Sequence, residues 1–147
     1  ELAITSPFST DCPTLTFNKI GRHQSRIVHT RIASNKSPWL AKTSVGDIYN
    51  VAISHGEGRF IANDSVLASL VENGQIATQY VDLSGNATMD INFNPNGSSL
   101  AIEGITSPDG RVLGKMGHTE RYNPGLYVNV PGYYDMKLFE AAAEYFR

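Results

Sequence analysis

The chain of 147 residues has one cysteine, Cys12, which permits no disulfide within the chain. That usage fits a reducing compartment. No apolar run approaches the roughly 18 residues of a membrane-spanning helix. Neither sign of charge dominates: 12 Lys and Arg stand against 14 Asp and Glu, for a net charge of −2 and a pI near 6.1. A nucleic-acid-binding surface would need a basic excess, so that class is excluded. The first residues, Glu1-Leu2-Ala3-Ile4-Thr5-Ser6-Pro7-Phe8, lack a basic start and a sustained apolar segment, and no signal peptide is expected. There is no internal repeat, low-complexity tract or linker. What is present is a 41% hydrophobic chain long enough to bury a core as one domain over 1–147. The expectation is a globular cytoplasmic unit with neither nucleic acid nor membrane as a partner.

Residues 1–13, rich in Ser, Thr and Pro, read as an irregular lead-in, and 14–18 as a short strand. Residues 24–33 alternate apolar and polar positions through Ile27, Val28 and Ile32, as a half-exposed strand does. Asn35-Lys36-Ser37-Pro38-Trp39-Leu40 reads as a cap, an early Pro and one turn of helix. The β-branched segment 48–53 is a buried strand running into Ser54-His55-Gly56-Glu57-Gly58-Arg59-Phe60. Asp64 or Ser65 can cap a helix through 73, with Val66, Leu67, Leu70 and Val71 on one face and Gly74 as its stop. A strand over 76–82 follows, then turns at Leu83-Ser84-Gly85-Asn86 and Asn94-Pro95-Asn96-Gly97-Ser98. A hairpin pairs 100–106 with 111–116 around Ser107-Pro108-Asp109-Gly110. A last helix spans 135–146, its apolar side carrying Met136, Phe139, Ala143 and Phe146. Strands outnumber helices, and the helices read as covers for one sheet: an α/β or α+β layered domain.

Two stretches carry chemistry. His118 and Glu120 stand two residues apart beyond the hairpin, and in extended or turn geometry positions i and i+2 project to one side. Glu120 can then accept a hydrogen bond from one ring nitrogen and leave the other to take a proton, the base and orienter of a nucleophilic triad. The bland alternative is a surface pair in which Glu120 simply meets Arg121. A metal site of His118, Glu120 and His55 or His29 is disfavoured, because no His/Cys cluster has zinc spacing. The second stretch is Ser54-His55-Gly56-Glu57-Gly58-Arg59. Glycines around a carboxylate directly after a buried strand let backbone approach a ligand, where α/β sheets bind small molecules. Its alternative is a tight turn with solvated charges. Cys12 lies in Thr10-Asp11-Cys12-Pro13, without the small neighbours of a strained strand-to-helix elbow, and reads as a structural or incidental thiol.

Taken in order, Ser54-His55-Gly56-Glu57-Gly58-Arg59-Phe60, Gln79-Tyr80-Val81-Asp82, Asn94-Pro95-Asn96-Gly97-Ser98, Gly104-Ile105-Thr106-Ser107-Pro108-Asp109-Gly110-Arg111-Val112-Leu113-Gly114 and His118-Thr119-Glu120-Arg121 resemble the C-terminal end of the large, single-chain phosphoribosylformylglycinamidine synthases. That end is their glutaminase domain, of the class I glutamine amidotransferase family. The likeness runs from about Cys12 to the C-terminus. It implies the C-terminal portion of a class I amidotransferase-like (flavodoxin-like) α/β sheet with flanking helices. It also implies a reaction: a cysteine attacks the side-chain amide of glutamine, a thioester forms, and ammonia leaves. The synthase part would spend that ammonia, with ATP and magnesium, on amidating formylglycinamide ribonucleotide in purine synthesis. By the same resemblance His118 and Glu120 are the catalytic pair, and Ser54, His55, Gly56 and Glu57 lie along bound glutamine.

Two departures stand out. Many members carry prolines where this chain has Gly117 and Thr119, so a looser turn with the same chemistry is expected. The nucleophile of the family sits in a Gly-x-Cys-x-Gly-like elbow, and no such elbow occurs in these residues. The chain then reads as a later part that lacks the nucleophile segment, inactive alone, partnered by the upstream half and the synthase domain or else self-associating. It needs no cofactor or metal of its own. The rival from another class is a non-catalytic module that keeps the fold as an interface or scaffold.

Overall fold

The computed structural model describes residues 12–147, so the expected lead-in lies outside the described residues as far as residue 11. Among the described residues seven strands form: β1 (Thr14–Thr16), β2 (Gln24–Ile32), β3 (Ile48–His55), β4 (Arg59–Ile61), β5 (Ile76–Tyr80), β6 (Ile102–Thr106) and β7 (Leu113–Lys115). Two α-helices join them, α1 (Asp64–Glu72) and α2 (Leu138–Tyr145). The main sheet runs β3-β2-β5-β6-β7 with every neighbour antiparallel, and β1 pairs with β4 in a separate ribbon. No helix among the described residues is long and apolar enough to cross a membrane.

The longest ladder joins β2 to β3, from Gln24 opposite His55 to Arg31 opposite Ile48. On β2 the period of two buries Val28, Thr30 and Ile32. Val51 and Ile53 of β3 meet Val28 and Tyr80 in one apolar cluster. Register shifts in β5 around Thr78 bend the sheet where it meets β6. The sheet curls so far that its two edges approach: just beyond β7, the His118 N–H donates to the Ala52 carbonyl of β3 at 2.8 Å. That closure brings the end of the last hairpin against the end of β3.

The helices differ in detail from their sequence pattern. The α1 cap is Asn63, neither Asp64 nor Ser65; its Oδ1 accepts from the Val66 N–H at 2.9 Å. Val66 and Leu70 are buried against Phe60, Ile76, Ile102 and Ile105, whereas Val71 is 58% exposed. Helix α2 starts at Leu138, because Lys137 takes a left-handed backbone (φ 53°) before it. Its buried side is Leu138, Ala141 and Ala142, not Phe139, Ala143 and Phe146. Met136, just outside the helix, is buried with Ile32, Leu40 and Ala77 as expected. Phe139 and Phe146 instead lean on the Trp39 ring, with centroids 6.5 and 6.1 Å away.

Candidate active site

His118 stands outside any strand, at the entry of a 3₁₀ turn over Thr119–Arg121. Its Nδ1 lies 2.6 Å from Glu120 Oε1. The pairing expected from two-residue spacing therefore forms, through a turn and not an extended segment. With Glu120 accepting, Nδ1 carries the hydrogen and Nε2 presents its lone pair; among the described residues Nε2 has no hydrogen-bond partner. The Glu120 carboxyl lies below its ordinary range. Partial burial pushes it up, but its own backbone amide and the His118 ring outweigh that. Among the described residues the ion pair of Glu120 is with His118, and it makes none with Arg121.

Backbone bonds fix this turn on both sides. The Gly117 N–H donates to Glu103 Oε1 at 2.5 Å, and the Lys115 ammonium donates to the Gly117 carbonyl at 3.0 Å and the Thr119 hydroxyl at 3.3 Å. A Cβ on Gly117 would sit 2.6 Å from a Val51 methyl and 2.8 Å from Glu103 Oε1, so a larger residue must displace one of them.

Ser54 and His55 of the Ser54–Glu57 stretch are the last two residues of β3, two and three positions beyond the Ala52 carbonyl that holds His118, and Gly56 and Glu57 follow them. The His118 ring lies near enough to act electrostatically on His55. Loop and pair thus share one end of the sheet. Within the loop the side chains part company. Ser54 Oγ is 3.1 Å from His23 Nε2 at the surface, Glu57 is exposed, and a Cβ on Gly56 would meet only open space. His55 is buried under Gly58, where any Cβ would strike the ring. Burial, then the nearby His23, hold its pKa below the ordinary histidine value.

Sequence reasoning missed what holds the loop. Asn18, 2% exposed, donates to the His55 carbonyl at 2.7 Å and to the Arg22 carbonyl at 2.9 Å. Its Oδ1 accepts from the Gly58 N–H at 3.3 Å and meets His55 Nδ1 at 3.0 Å. The Asn94-to-Ser98 turn is a buried buttress as well: Asn96 Nδ2 donates to the Gly58 carbonyl at 2.5 Å and to the Tyr80 hydroxyl at 3.0 Å. The only signal was amide-rich composition, which reads as an ordinary turn. Cys12 is exposed. Among the described residues no group of three or more His, Cys, Asp or Glu side chains is placed to hold a metal ion.

A histidine–carboxylate pair thus stands beside a glycine-bounded strand-end loop on a curled mixed α/β fold, and the sequence comparison gives the class of the fold, a glutamine amidotransferase domain. The chain belongs to the CobB/CobQ-like glutamine amidotransferase domain family, which it matches over residues 3–146. Among its relatives, the phosphoribosylformylglycinamidine synthase subunit PurQ of Methanosarcina acetivorans is 34% identical over 131 residues, 89% of this chain and 54% of that protein. The subunit of the same name from Chlorobaculum tepidum is 37% identical over 120 residues, 82% of this chain and 49% of that protein. The solved structure of PurLQS from Thermotoga maritima superposes with a TM-score of 0.67 at 23% identity, covering 92% of this chain and 54% of that one, a likeness of fold. The chain spans about half the length of the curated relatives it matches.

Proposed function

We propose that this chain is the later half of a glutaminase domain that feeds ammonia to phosphoribosylformylglycinamidine synthase. The observation that carries the reading is the 2.6 Å bond from His118 to Glu120 beside the Ser54–Glu57 loop. In this reading a cysteine thiol from the upstream half gives its proton to His118 Nε2, and the thiolate attacks the side-chain amide carbon of glutamine. His118 returns the proton to the leaving nitrogen, ammonia departs, and a thioester remains. Water, deprotonated by the same Nε2, then releases glutamate and the thiol. Glu120 holds the Nδ1–H throughout and stabilises the imidazolium between the two transfers. Ser54, Gly56 and Glu57 line the glutamine pocket, and His55 supports them from below.

ATP and magnesium act in the synthase part, and no step here runs through them. The names of the curated relatives describe a separate subunit; the ordered motifs favour the glutaminase end of a single long chain. The chain docks with the upstream half, and self-associates without it. Supplying that half in trans tests the reading. Restored glutamine hydrolysis with a mixed complex by light scattering supports it. A complex without hydrolysis would instead mean a scaffold of the same fold.

A further inference from the structure

Glu103 sits in the middle of β6 with its side chain wholly inaccessible to solvent, between Ile102 and Ile105 of the apolar core. A buried carboxylate is costly unless every lone pair is used. Its partners are the Thr78 hydroxyl, the Gly117 N–H at 2.5 Å and the Lys115 ammonium at 3.3 Å. Two of these three belong to the segment that leads into His118. Lys115, itself only 10% exposed in its side chain, continues to the Gly117 carbonyl and the Thr119 hydroxyl. The residues on both sides of His118 are therefore tied, directly or through Lys115, to one carboxylate, while the His118 N–H is held by Ala52.

We propose that Glu103 is a positioning residue for the His118 base, acting through the Gly117 amide and the Lys115 ammonium. The proposal rests on the reading of His118 as the glutaminase base. Gly117 matters to it twice: its N–H is the contact, and its missing side chain lets Glu103 and Val51 approach. Most of the freedom left to His118 is then rotation of its ring, which the Glu120 bond removes. A buried charge whose bonds converge on the approach to one functional side chain sets where that side chain stands.

The test uses the full-length protein and steady-state glutamine hydrolysis, with His118→Ala as control. Glu103→Leu should lower kcat roughly ten- to hundredfold with KM within about twofold, because misplacing a base by a fraction of an ångström slows proton transfer and leaves the substrate pocket intact. Glu103→Gln, which keeps an oxygen for the Gly117 N–H, should recover most of that loss. Should Glu103→Leu fail to fold, Lys115→Gln releases the same turn from its other side and should lower kcat several-fold at unchanged KM. Unchanged kcat in the leucine variant overturns the proposal, as does a glutamine variant no better than leucine, or an unaffected Lys115→Gln. If His118→Ala itself retains hydrolysis, the glutaminase reading fails, whatever the Glu103 variants do.

Discussion

Burial beneath Gly58 and the charge of His23 hold the His55 imidazole neutral to lower pH than an ordinary histidine. The unfolded chain takes up that proton near its usual value of about 6.5, and the folded chain only further down. Between the two values the unfolded state binds more protons, so stability rises with pH there and is lost as pH falls below about 6.5. Removing the titrating group with His55→Gln should shrink the drop in urea midpoint between about pH 7.5 and about pH 5.5. Parallel curves for the two proteins would show that the ring does not titrate in this window. At this scale the His118–Glu120 pair was legible, because a two-residue spacing needs no knowledge of distant structure. Asn18 and Glu103 were not: their partners lie 37 and 25 or 14 residues away, at His55, Thr78 and Gly117. An isolated Asn or Glu in sequence gives no sign of what it will be buried against.

Among elements, the turn that presents His118 depends on close approach at one position. A methyl at Gly117 must displace Val51 or the Glu103 carboxylate. Gly117→Ala should cost about 1–3 kcal/mol of stability by overpacking. A double-mutant cycle with Val51→Ala in denaturant should show the two changes coupled, since the smaller residue makes room. Additive effects would mean that the strand and the turn do not press on each other as described. Six of the seven strands were legible from β-branched runs and turn residues, within a few positions at each end; β4 was not, because Arg59–Ile61 is short and follows directly on the glycines of the preceding loop. Helix faces were less so. In α2 the large Phe139 and Phe146 draw the eye, yet the buried residues are Leu138, Ala141 and Ala142, with Leu138 in one cluster with Leu40 and Met136. Small residues mark close packing and give almost no hydrophobic signal. Val71 misled in the opposite way, a β-branched residue one step off the Val66–Leu70 stripe and left in solvent.

The whole molecule is a curled antiparallel sheet whose edges meet where His118 bonds to β3. The mixed α/β class was readable from the order of elements. The curl was not, because it comes from register shifts at Thr78 and from the distant bond of the His118 N–H to the Ala52 carbonyl. If an upstream half is missing, the strand over 48–53 and the helix positions Val66, Leu67, Leu70 and Phe139 are expected to lack covers. Of these Ile48 and Phe139 are 41% and 60% exposed, whereas Val51, Ile53, Val66 and Leu70 are buried, and Phe17, Val128 and Tyr133 stand 67%, 78% and 81% exposed. In the proposed function this chain supplies the base of a glutaminase whose ammonia is used elsewhere. The most direct measurement is turnover of the full-length synthase with glutamine and, separately, with ammonium salt, in wild type and His118→Ala. Turnover of the variant should fall roughly 10²–10⁴-fold with glutamine and stay near normal with ammonium. Glutamine-dependent turnover that survives the substitution would contradict the proposed function.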